Sequence, residues 1–191
     1  WANLDLHAFE FGHSYMTAIF KAPNDPLSQA YYASLASAKG EDSASEILSV
    51  SRHNTIIYPS CSPHTSFQQW RVIRPISVDK TLVEIFTFEL EGAPPELLQR
   101  TFIYSNVVNS PSSIVMTDDV HVYAECQRGL TTQGGDWVSQ HRKAGQDKSF
   151  EGADGGLIGE GSSELPIRNQ FSAWKRYMLG ERNQELRSPG S

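Results

Sequence analysis

The 191-residue chain reads as an α+β protein, a curved antiparallel sheet packed against helices. Two β-rich runs, "SFQQWRVIRPISV" and "TLVEIFTFELEG", are joined only through Asp79 and Lys80, and so short a connection makes an antiparallel hairpin. Other stretches carry apolar residues at helical spacing, with proline at a start or glycine at an end. A 39% hydrophobic composition suits one domain with an ample core.

In chain order, residues 1–20 mix aromatics with His7 and His13 and read as a strand or irregular segment. The prolines of "APNDPL" make a turn, and "LSQAYYASLASAKG" is a helix closed by Gly40. A polar patch, "EDSASE", precedes a strand in "ILSVSRHNTIIYP" that ends at Pro59. In the first hairpin strand Trp70 and Val72 alternate with Gln69, Arg71 and Ile73, and Trp70, Val72 and Ile76 read as core. "PPELLQRTFIYSNVVN" follows as a helix with Leu97, Leu98, Phe102, Ile103 and Val107 at apolar positions. "VMTDDVHVYAECQRG" is the next, with Thr117 as its N-cap and an end near Gly129. Six glycines between Gly145 and Gly161 predict a mobile surface loop. A last helix runs through "SSELPIRNQFSAWKRYMLG" to Gly180, with Ile167, Phe171, Trp174 and Met178 at helical spacing and Phe171 and Trp174 as core packing. Residues 1–180 read as one domain and 181–191 as a frayed tail. The start at Trp1, without methionine, reads as the interior of a longer protein.

Several function classes are disfavoured. Net charge is -6 and the basic residues are scattered, unlike an extended nucleic-acid surface. Two cysteines, Cys61 and Cys126, cannot build a disulfide framework and point to a reducing, cytoplasmic setting. The chain shows no signal peptide, and no apolar run approaches the roughly 18 residues of a membrane span. Cys61 and His64 in "CSPH" are half of a metal site without a second pair. "GEGSSE" is no nucleophile elbow, and no phosphate-binding loop is present.

The acidic pair Asp118–Asp119 is the most suggestive chemistry. Acids in a first helical turn complement the dipole, so both can be plain caps. On a helical wheel, however, Asp119 shares a face with Tyr123 and Cys126, near Val122, while Asp118 lies with His121 and Glu125. A carboxylate on an apolar face needs a partner, which the wheel does not name.

"RVIRPISVDKTLVEIFTF", "MTDDVHVYAECQRGL", "DWVSQHRKAG" and "SELPIRNQFSAWKRYM", in that order, resemble the C-terminal catalytic domain of Rieske non-heme iron aromatic-ring-hydroxylating oxygenases. The nearest branch is that of the alpha subunits acting on benzoate, anthranilate or salicylate. The resemblance runs from Phe9–His13 to Met178 and implies a helix-grip (Bet v 1-like) fold, its curved sheet packed against the C-terminal helix. It implies a mononuclear Fe(II) held by two histidines and a carboxylate, the carboxylate being Asp119 and Asp118 a solvent-facing cap. Arg52, Asn54, His64 and Asn109 fall at substrate-lining positions, and Arg52 could hold the carboxylate of an aromatic acid. His64 equally suits the end of the Pro59–Pro63 turn, and Arg52 a solvent-facing charge on an edge strand.

The implied histidines, in D-x-x-H-x-x-x-x-H, have no match among positions 7, 13, 53, 64, 121 and 141, nor do the C-x-H and C-x-x-H pairs of a [2Fe–2S] Rieske cluster. In the family both lie upstream, so they are expected before Trp1. The implied partners are a small aromatic substrate, O2, an NAD(P)H-dependent reductase and in some members a ferredoxin, in a homotrimer or an α3β3 assembly with a beta subunit. The competing readings are a salicylate-type ring monooxygenase and a non-catalytic helix-grip domain that shelters a small ligand.

Overall fold

A computed structural model describes residues 4–17, 24–49, 52–64, 67–149 and 155–180, and the expected tail, 181–191, lies outside these. The chain folds as two compact units. One gathers Trp1–Ile19, His53–Ser62 and Gln140–Ser191; the other holds Phe20–Arg52 and Pro63–Ser139.

The first unit is built on a five-stranded sheet. Its strands are β1 (Asp5–Ala8), β2 (Ser14–Thr17), β3 (Arg52–Ile56), β7 (Lys148–Ser149) and β8 (Leu157–Glu160), ordered β3-β2-β1-β8-β7. β1 is central and antiparallel to both neighbours, with Leu6 opposite Met16 on one side and Gly159 on the other. Helix α5 (Leu165–Leu179) packs on β1 and on the 3-10 turn Glu10–Gly12, burying Leu165 and Ala173. Removing Leu4, Leu6 and Leu165 from water contributes roughly 1.5–3 kcal/mol apiece. The Asn169 side-chain amide donates to the carbonyls of Phe9 (2.9 Å) and His13 (3.1 Å). The helix comes this close because Gly12 has no side chain: a Cβ there would lie 2.9 Å from that of Ala173.

The second unit contains α1 (Pro26–Lys39), α2 (Glu41–Ser49), α3 (Pro95–Asn109), α4 (Ile114–Leu130) and the hairpin β5 (Gln69–Ser77)–β6 (Lys80–Thr87). β4 (Cys61–His64) starts at the unit boundary and completes a three-stranded sheet, β4-β5-β6. Asp25 caps α1, accepting from the Leu27 and Ser28 amides, and pairs with Arg100 of α3 at 2.9 Å.

The mixture of helix and antiparallel sheet matches the expectation, as do the hairpin, α1, α3 and α5. Other expectations are corrected. "EDSASE" lies within α2, where Glu41 and Asp42 occupy the first turn and complement the dipole. The glycine-rich segment contributes β8, a strand beside the central one. Gly159 is buried there because a Cβ would lie 2.9 Å from the Asp147 carboxylate and 3.2 Å from Leu165. Helix α4 begins three residues before Thr117, and its cap is Ser113, whose hydroxyl accepts from the Val115 and Met116 amides.

Two amphipathic elements turn the other way round. Trp70 is 38% exposed and Ile76 63%, while Gln69, on the opposite face of β5, is 1% exposed. On α5, Ile167, Phe171, Trp174 and Met178 form an exposed stripe, because the helix lays its Leu165–Asn169–Ala173 face on the sheet.

Candidate functional site

Ser113 starts α4 early, so Asp118 and Asp119 sit in its second turn rather than at a cap. α4 packs on α3 and on the following 3-10 turn, Gln133–Gly135, and buries none of its residues. Asp119 is exposed, as are Val120, Val122 and Tyr123 beside it. The expectation that an apolar face shields Asp119 and so demands a partner therefore does not hold in this chain.

The remaining expected residues are dispersed. Arg52 is exposed and opens β3, the edge strand of its sheet. Asn54 is exposed, has a left-handed backbone (φ 44°) and donates weakly to Met16 Sδ at 3.8 Å. His64 is buried at the end of β4, its ring 4.4 Å from that of Phe67. Asn109, the last residue of α3, donates to Ser105 Oγ at 3.1 Å and lines a polar pocket of about 400 Å³ with Ile85, Ser105, Asn106, Ser110 and Pro111. Asn109 Oδ1 is buried with no hydrogen-bond partner.

Polar groups gather at the start of β5 beneath α3, among them Gln69 and Arg71, which the alternation pattern assigned to the outside. Gln68, in a left-handed conformation (φ 49°), donates to the Phe88 carbonyl at 3.2 Å and accepts from Thr101. Gln69 accepts from Arg71 Nη2 at 3.4 Å. The Phe67 and Tyr104 rings stack in parallel at 4.0 Å, continuing the His64–Phe67 contact into a three-ring ladder. Burial raises the Tyr104 phenol above its ordinary pKa against the opposing charge of Arg71, so it stays a neutral hydroxyl at pH 7. A polar residue repeating at 69 and 71 on one strand face was the legible sign of this cluster.

In the first unit a second concavity, about 450 Å³, is bounded by Phe11, His13, Tyr58, Pro59, Trp174 and Tyr177. His13 Nδ1 accepts from the Tyr58 amide at 3.0 Å, which leaves its proton on Nε2.

An iron centre of the expected kind needs three ligands. Among the described residues no three His, Cys, Asp or Glu side chains gather for one. Asp118, Asp119 and His121 lie together in sequence, and all three are exposed. Among the described residues the donor set does not by itself complete a mononuclear iron site.

The fold is shared with solved oxygenases. A naphthalene 1,2-dioxygenase variant bound to phenanthrene superposes with a TM-score of 0.71 at 18% identity, covering 92% of this chain and 42% of that one. Naphthalene 1,2-dioxygenase with indole in its active site matches at 0.71 and 16%, with the same coverage. No protein-family model matches. In sequence the chain is 30% identical over 168 residues to the toluate 1,2-dioxygenase alpha subunit of Pseudomonas putida, spanning 87% of this chain and 35% of the relative. It is 30% identical over 149 residues to the 2-halobenzoate 1,2-dioxygenase large subunit of Burkholderia cepacia, spanning 75% and 32%.

Over most of its length the chain is similar to one region of the large subunits of aromatic 1,2-dioxygenases, a likeness consistent with the catalytic domain of a Rieske oxygenase alpha subunit. It spans about a third of the curated relatives' length.

Proposed function

We propose that this chain is the substrate-binding part of a dioxygenase that adds O2 to an aromatic acid. Its kinship with the toluate enzyme across 87% of its length carries the reading. The polar pocket at Asn109 would receive the arene, with the His64–Phe67–Tyr104 ring contacts in the same unit. The fold reading is a helix-grip, supported by α5 lying across β1.

Asp119 would be the carboxylate ligand of a mononuclear Fe(II) only where imidazoles from outside this chain complete the set. Electrons would come from NAD(P)H through a reductase, with or without a ferredoxin, and a [2Fe–2S] Rieske cluster. The working assembly would be a homotrimer or α3β3. Among the described residues no helix is long and apolar enough to cross a membrane, in keeping with the proposed cytoplasmic setting. This chain's own residues would bind and orient the ring and keep water from it.

The natural protein, supplied with its reductase, NADH, benzoate and 18O2, tests the reading by product mass spectrometry. Two labelled oxygens in one product support dioxygenation, and one label supports the salicylate-type monooxygenase. Benzoate bound but never oxidised would leave a ligand-binding domain.

A further inference from the structure

The side chains of Gln69 and Arg71 point the same way from alternate positions of β5, beneath α3. Gln69 is 1% exposed, and its amide orientation is fixed because Oε1 accepts from Arg71. That leaves Gln69 Nε2, a two-proton donor, buried without an acceptor. Arg71 Nε is likewise buried without an acceptor. Arg71 makes no ion pair among the described residues: Arg74 takes Glu84 on the other face of the hairpin, and Arg100 takes Asp25. A half-buried guanidinium with no counter-charge, beside a buried amide with two unused protons, is costly unless an anion is present. The neutral Tyr104 hydroxyl is close enough to feel the Arg71 charge. Across the strand Arg71 faces Ile85, which lines the Asn109 pocket.

We propose that Gln69 and Arg71, with Tyr104, are the anion-recognition end of the pocket and take the carboxylate of an aromatic acid whose ring lies in the space lined by Ile85 and Asn109. This deepens the proposed function and rests on it for the aromatic part of the ligand. The carboxylate accepts from Arg71 Nε and Gln69 Nε2, satisfying the two orphaned donors at once. The clamp is therefore on Arg71, across the strand from the pocket residue Ile85, and not on Arg52 at the sheet edge.

The test uses the whole chain with acetate, benzoate and toluene as probes, read by the side-chain Nε–H correlation of Arg71 in 15N-labelled protein and by intrinsic fluorescence. Benzoate and acetate shift the Arg71 Nε–H resonance, and toluene leaves it in place. Arg71→Gln weakens benzoate about ten- to a hundredfold, the loss expected of a charge-assisted hydrogen bond. It leaves toluene unchanged, and Arg52→Gln leaves both unchanged. Arg71→Met melts at or above the wild-type temperature, because it removes an unpaired charge, whereas an arginine with a purely structural role would be destabilising to replace. Shifts with acetate but no arene binding uphold the anion site and overturn the aromatic-acid reading. Equal affinity for benzoate and toluene with a static Arg71 resonance overturns the site and spares that reading. No response to any probe overturns both.

Discussion

The Arg168 guanidinium donates to Asp147 Oδ2 at 2.8 Å, an ion pair in which both side chains are largely buried. The same guanidinium holds the carbonyls of Gln140 (3.2 Å) and Arg142 (2.9 Å) and Ser163 Oγ (3.2 Å). One fork therefore fastens the segment before β7 to the first turn of α5. Arg168→Lys keeps the charge but cannot reach these acceptors together. The expected loss is about 2–3 kcal/mol, the worth of a charge-assisted bond left unmade, read from the denaturant midpoint at constant slope.

Gly159 sits against that same carboxylate. Gly159→Ala brings a methyl group to 2.9 Å from Asp147 Oδ1, and Arg168 prevents the acid from moving away. Destabilisation of about 1–3 kcal/mol is expected from this overpacking. A Gly159→Ala/Asp147→Ala double variant, measured by thermal denaturation, tolerates the methyl better than the sum of the single changes.

The buried Thr101 hydroxyl bonds to Gln68 Oε1, and Thr101→Val preserves the shape while leaving that oxygen without a donor. Stability falls by about 1–3 kcal/mol. Thr101→Ser retains the bond and recovers most of the loss, a rescue that calorimetry on the two variants resolves.

Asp25 is held at a pKa of about 2, first by the Ser28 hydroxyl and then by Arg100 and the Ser28 amide. Its folded value lies below the ordinary 3.8, so the stabilisation is complete above about pH 4 and lost as pH falls towards 2. Asp25→Asn flattens that acid limb of the stability profile and leaves neutral-pH behaviour with a weakened cap. Urea titrations at pH 2, 3, 4 and 7 provide the comparison.

Asp119 separates folding from activity. It is exposed on a helix that buries nothing, so Asp119→Ala changes the stability of this chain by less than about 0.5 kcal/mol. The same change in the natural protein abolishes oxygenation and iron content if Asp119 is the ligand. Retained iron and turnover would return it to an ordinary helix-surface acid.

The elements with local instructions were legible. Pro26 after Asp25, Gly40 and Gly180 bounded helices, and two turn residues between β-rich runs set a hairpin. What escaped depended on partners far along the chain. Gly159 looked like loop composition, but its reason is Asp147 and Leu165. The apolar residues of β5 and α5 suggested which faces were inside, yet β5 buries Gln69 while Trp70 and Ile76 are exposed, and α5 buries Leu165 and Ala173 instead of Phe171 and Trp174. On β5 the misreading hid Gln69 and Arg71, since the alternation rule sends polar residues outward. A local rule tends to fail where a sequence keeps polar groups indoors for recognition.

The first unit is assembled from three separated pieces of chain, and β1 receives its second neighbour, β8, about a hundred and fifty residues later. During synthesis β1 can close onto β2 at once, but its other edge stays open until Leu157–Glu160 has left the ribosome. The second unit, whose α1, α2, hairpin, α3 and α4 all precede residue 140, can be complete by then. Nascent chains stalled with residue 140 just clear of the ribosome should therefore protect the second unit from protease and leave Leu4–Ala8 open to cleavage. Release past Asn169 would close that edge.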